Sequence, residues 1–124
     1  MPASTGKAMS IKNEGGSIHH LQRNQDAAMT ERQWQDEVIA YAKEHGWMVA
    51  HFRPARTAKG WRTPMQGDPG FADLVLARRG VVLLVELKRI GGKVSKGQED
   101  WQRASGHFTC WTPEHRKLMQ QTLA

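Results

Sequence analysis

The sequence is poor in several things. It has one cysteine, Cys110, so no disulfide can form within the chain, and a zinc ribbon has no ligand set. No apolar run approaches the roughly 20 residues of a spanning helix, and mean hydropathy is −0.64. The longest apolar stretch, Val81 to Val85, has the length of a buried strand. No positively charged start followed by an apolar block is present, so a cytoplasmic protein is expected. Acidic residues are also scarce, 12 against 18 Lys and Arg, which leaves a net charge of +6 in 124 residues. That excess draws a small domain toward polyphosphates without requiring one.

Residues 1–28 carry isolated apolar residues with neither a 2- nor a 3.6-residue period, and read as a disordered or weakly ordered tail. His19 and His20 lack a third ligand and read as solvated. A single domain is expected over 29–124. Thr30-Glu31-Arg32-Gln33 fits a capping box, and Trp34, Val38, Tyr41 and Ala42 follow at helical spacing until Gly46. Glu37 falls at the edge of that apolar stripe. Trp47–Arg53 reads as a strand and the following residues to Gly70 as a long irregular segment. Phe71–Ala77 and Val81–Arg89 read as a hairpin turning at Arg78-Arg79-Gly80. Ser95-Lys96-Gly97-Gln98 is a second capping box, opening a helix of about two turns beyond Gln98. His107–Trp111 is a last strand, and a final helix from Thr112-Pro113 is expected to bury Leu118, Met119 and Leu123. Trp34, Trp47 and Trp101 are expected in the core.

The chemistry concentrates on the hairpin. Glu86 and Lys88 share one face at the end of an apolar strand, where charge must be paired, hold a metal or open into a cleft. The hairpin turn sets Asp73 opposite Glu86, to within a residue or two. Two carboxylates so close repel unless a cation lies between them, and their hard oxygens suit Mg²⁺ or Mn²⁺. Lys88 would orient or help deprotonate the attacking water, or offset charge building on a phosphate. The plainer reading of Glu86 and Lys88 is an ion pair at a strand end.

Asp73 followed by Glu86-x-Lys88 resembles the Asp…Glu-x-Lys signature of the restriction-endonuclease-like nucleases. With Glu37, Gly70-Phe71-Ala72-Asp73, Glu86-Leu87-Lys88, and Ser95-x-x-Gln98 with Trp101, the chain resembles the VRR-NUC family over about residues 29–122. Ala72 stands where that family usually has proline, which loosens the strand entry and removes no ligand. The resemblance implies an α/β fold with an α-β-β-β-α-β core, a central mixed sheet flanked by helices. It implies that Asp73, Glu86 and the Leu87 carbonyl ligate the metal, that Lys88 is the catalytic lysine, that Glu37 reaches the site directly or through water, and that Gln98 positions water or a phosphate oxygen. Glu37 as a plain helix-face charge and Gln98 as a cap alone are the alternatives.

Arg53, Arg56, Lys59 and Arg62 precede Asp73, and Lys93 and Lys96 follow Lys88, so both flanks of the expected site are cationic. Trp61 packs in its loop or stacks on a base, and His51 is a packed or surface histidine with a DNA contact as its second reading. The expected function is a Mg²⁺-dependent DNA endonuclease selecting structure (junctions, flaps or nicks), acting as a homodimer in recombination, repair or packaging in a bacterial or phage-infected host cytoplasm. The rivals are a non-catalytic DNA-binding module, a nuclease on RNA or single strands, and a basic structural protein.

Overall fold

A computed structural model of the chain describes residues 18–52, 55–62 and 66–124, leaving aside the side chains of residues 55–57, 61 and 62. Helix α1 spans residues 18–28, so the tail reading does not extend over this stretch; residues 1–17 lie outside the described residues. An apolar stripe is missing from α1 because it docks through a charge. Asp26 is buried, accepting from Arg116 Nη1 at 2.9 Å and from Gln22 Nε2 at 3.0 Å, while Ile18 and Leu21 stay exposed.

Helix α2 (Glu31–Glu44) begins at the expected capping box. The Gln33 amide donates to Thr30 Oγ1 at 3.1 Å, and the Thr30 amide donates to Gln33 Oε1 at 2.9 Å. Trp34, Val38 and Ala42 form its buried stripe. The chain then turns at Gly46, whose φ of +80° suits glycine, and enters β1 (Met48–His51). The segment expected to be irregular contains a small antiparallel hairpin, β2 (Ala55–Thr57) and β3 (Gly60–Arg62), with Arg56 opposite Trp61.

Strands β4 (Leu74–Arg78) and β5 (Val81–Leu87) are joined by Arg79 and Gly80, at φ +51° and +79°. Two successive positive φ values make the turn whose twist matches that of the flanking strands, which locks the register. After β5 come α3 (Lys96–Ser105), β6 (Phe108–Trp111), a 3₁₀ turn (Pro113–His115) and α4 (Arg116–Leu123). The sheet order is β1-β4-β5-β6, with β5 and β6 parallel and the other pairs antiparallel. The fold is α/β, a four-strand mixed open sheet flanked by helices. Among the described residues no helix is long and apolar enough to cross a membrane.

Alternation assigns the two faces. Leu74, Leu76, Val85, Leu87 and Trp111 pack with Trp34, Val38 and Ala42 of α2 and with Met119 and Leu123 of α4. Two buried indoles are satisfied at depth, Trp34 Nε1 donating to the Trp111 carbonyl at 3.0 Å and Trp47 Nε1 to that of Leu123 at 2.9 Å, whereas the Nε1 of buried Trp111 has no partner among the described residues. Removing either ring would cost about 3–5 kcal/mol. Three core expectations are corrected. Leu118 is exposed, because α4 turns only Met119 and Leu123 inward. Val81 and Val82 are exposed at the hairpin end. Trp101 lies outside the core, half-buried edge-to-face against Phe71 at 4.9 Å, because α3 buries no residue.

Candidate functional site

Leu74 pairs with Val85, so the next step outward brings Asp73 and Glu86 together where the β4–β5 ladder ends. Glu86 is 1% exposed. Asp73 is held from the neighbouring strand, its Oδ2 accepting from the Leu87 amide at 2.9 Å. In an extended strand the carbonyl leaves from the same edge as the amide, so the Leu87 carbonyl faces this side as well, while its side chain fills the core. Lys88 Nζ lies 3.8 Å from Glu86 Oε1 and 3.9 Å from Glu31 Oε1.

Glu31 is the residue that sequence reasoning missed. One oxygen each from Glu31, Asp73 and Glu86 lies within 4.8 Å of the other two. Glu37, expected here, instead receives Arg116 in a two-pronged pair, Nε to Oε2 at 2.6 Å and Nη2 to Oε1 at 3.1 Å. The two glutamates are six residues apart, about 9 Å along the helix axis, and only the first turn of α2 reaches the end of the sheet. The available signal was the position of Glu31 immediately after the N-cap.

Gln98 does more than cap its helix, and its second partner is Glu86, a contact not expected from the sequence. Its Oε1 accepts from the Ser95 amide at 2.9 Å, closing the capping box of α3, and its Nε2 donates to Glu86 Oε1 at 2.6 Å. Backbone contact sets α3 in place to do this. A Cβ at Gly70, which has φ +94°, would stand 2.3 Å from the Gly97 carbonyl carbon, and one at Gly97 would stand 2.7 Å from the Pro69 oxygen.

The electrostatics are those of a site short of positive charge. Glu86 Oε2 is buried without a hydrogen-bond partner among the described residues, a state that costs more than an exposed acid would. Burial, then the charge of Asp73, push the Glu86 carboxyl up to about 9 against the partial offset of Lys88. Burial and Asp73 likewise raise Glu31. Cys110, opposite Glu86 on β6, has its thiol pushed up by burial and then by Glu86. Oxygens bound to one hard cation at 2.0–2.6 Å stand at most about 4–5 Å apart, and the three carboxylate oxygens here lie within 4.8 Å of one another.

Lys59, Lys93 and Lys96 are exposed, and Lys96 pairs with Asp100 at 3.4 Å. His51 is exposed opposite Leu74, which by alternation turns it to the sheet face away from Asp73 and Glu86. Arg53 and the side chains of Arg56, Trp61 and Arg62 lie outside the described residues. Comparison with family models, curated proteins and solved structures returned no match.

Proposed function

We propose that the chain is a metal-dependent nuclease of the restriction-endonuclease-like, VRR-NUC type, hydrolysing phosphodiester bonds in DNA. The observation that carries this reading is the buried Glu86, with one orphaned oxygen, set among Asp73, Glu31 and Lys88 at a sheet end. The order of the central elements, a helix, an antiparallel three-strand unit, a helix and a parallel fourth strand, supports the core that the sequence resemblance implies.

Asp73, Glu86 and Glu31 would hold Mg²⁺ or Mn²⁺, with the Leu87 carbonyl on the same edge, and Glu37 leaves the ligand set. Such an ion supplies polarisation of a phosphate oxygen and a lowered water pKa. The chain's own groups do the rest. The Leu87 amide fixes Asp73, and Gln98 fixes Glu86. Lys88 presents an ammonium to the phosphate as negative charge develops on it. Exposed Lys59, Lys93 and Lys96 supply attraction for the phosphate backbone. The DNA is selected by shape (junctions, flaps or nicks), and two copies act together because cutting both strands symmetrically needs two such sites.

The test incubates plasmid and labelled branched, nicked and linear DNA with Mg²⁺, Mn²⁺ or EDTA, using the wild type, Asp73→Ala and Lys88→Ala. Metal-dependent cutting by the wild type alone is expected. Cutting that survives EDTA or both substitutions defeats the mechanism, and tight binding with no cutting makes the protein a binding module. RNA and single-stranded substrates in the same assay decide the substrate class, and sedimentation decides the oligomeric state.

A further inference from the structure

A pocket of about 290 Å³ is lined by Asp68, Pro69, Gly97, Asp100, Trp101 and Ala104. It is at the small end of the range for ligand sites, about 300 Å³ upward. Its walls adjoin the candidate site through their chain neighbours. Gly97 precedes Gln98, which is bonded to Glu86, and Pro69 leads through Gly70 to Asp73 across the Gly70–Gly97 contact.

The lining is chemically specific. Trp101 spends its one donor on the Asp68 carbonyl at 3.2 Å and braces against Phe71, so what remains is a fixed aromatic surface beside Pro69 and Ala104. The polar side chains in the lining, Asp68 and Asp100, are both carboxylates and accept hydrogen bonds. Lys96 and Arg103, paired with Asp100 at 3.4 and 2.7 Å, are exposed beside it and offer cations to a backbone passing over the rim.

We propose that this pocket receives an unpaired nucleobase of the substrate strand, next to the phosphate presented to Asp73 and Glu86; the inference rests on the nuclease reading above. Stacking on Trp101 supplies the attraction. The two acceptors favour bases with an exocyclic amino group, cytosine, adenine or guanine, over thymine. Paired bases inside a duplex cannot enter without flipping out, so the pocket gives a physical cause for preferring DNA with unpaired nucleotides.

The experiment titrates the full chain, in Ca²⁺ in place of Mg²⁺, with three labelled duplexes: one with a single unpaired cytosine, one with an abasic residue at that position, and one fully paired. Base-stacking energies predict that cytosine binds roughly 5- to 150-fold more tightly than the abasic duplex, with unpaired thymine between them. Trp101→Ala removes the difference and Trp101→Phe restores most of it. Ala104→Phe, on a helix that buries no residue, fills the pocket and also removes it. Equal binding of cytosine and abasic duplexes by the wild type overturns the inference, as does a preference that survives Ala104→Phe. Metal-dependent cutting without any base preference leaves the nuclease reading standing and overturns this one alone. Failure to bind any DNA overturns both.

Discussion

Lys88 is shared between two carboxylates from different elements, Glu86 of the hairpin at 3.8 Å and Glu31 of α2 at 3.9 Å. With its side chain only 18% exposed, the ammonium is held between the two acids. Lys88→Ala should lower single-turnover cleavage by about 10²–10³-fold while leaving DNA affinity within a few-fold. A loss of affinity as large as the loss of rate would make Lys88 an anchor for the backbone.

Glu31 and Glu37 should behave oppositely. Glu31→Gln is expected to raise the Mg²⁺ concentration needed for half-maximal cleavage by about ten-fold or more. Glu37→Gln should leave that concentration unchanged and lower stability by about 1–3 kcal/mol, since Arg116 loses its two-pronged partner. Mg²⁺ titrations and urea melts on the two variants separate the roles.

The raised Glu86 pKa makes the metal-free protein sensitive to pH. In the folded state Glu86 keeps its proton up to about 9, whereas in the unfolded chain it loses it near the ordinary 4.5. Its contribution is therefore complete below about 4.5 and is lost as pH rises toward 9. In EDTA the melting temperature should fall across that window, and Glu86→Gln should flatten the fall. A wild-type profile as flat as that of the variant would show that Glu86 is already ionised without a metal.

Asp26 titrates in the other direction. Burial pushes its carboxyl up, but hydrogen bonds from Arg116 and Gln22 outweigh burial and hold it below the ordinary 3.8. Its contribution is present above that value and lost as pH falls through the folded one. Asp26→Asn, or a chain starting at residue 29, should be less stable by about 1–3 kcal/mol in urea at neutral pH.

Gly70→Ala and Gly46→Ala isolate contact from backbone strain. Both glycines have positive φ, but only at Gly70 would the new carbon meet backbone, at 2.3 Å. Gly46→Ala should cost about 1–2 kcal/mol, and Gly70→Ala clearly more, together with a loss of cleavage as α3 shifts and Gln98 leaves Glu86. Crystal structures or melts combined with cleavage assays would show the difference.

The carboxylate pair was legible in the sequence because a two-residue turn fixes register by local backbone geometry: Arg79 and Gly80 set Leu74 against Val85, and Asp73 against Glu86 follows. Both capping boxes were legible for the same reason, being local. Glu31 was not, because which turn of α2 meets the sheet end depends on how Trp34 and Val38 seat in the core, a tertiary matter. Helix α1 escaped because its anchor is one charge, Asp26, whose partner lies 90 residues away. Trp101 was misplaced because helical spacing cannot distinguish a core ring from one that braces a pocket wall.

Position 98 admits very little chemistry. The oxygen of its amide is engaged by Ser95 and the nitrogen by Glu86, so a flipped amide would set donor against donor at one end and acceptor against acceptor at the other. Glutamate would keep the cap and bring a fourth carboxyl group against Glu31, Asp73 and Glu86. Asparagine is one methylene too short to span both partners. A residue that reads as helix punctuation thereby ties, through its length and polarity, the start of α3 to the state of a buried acid.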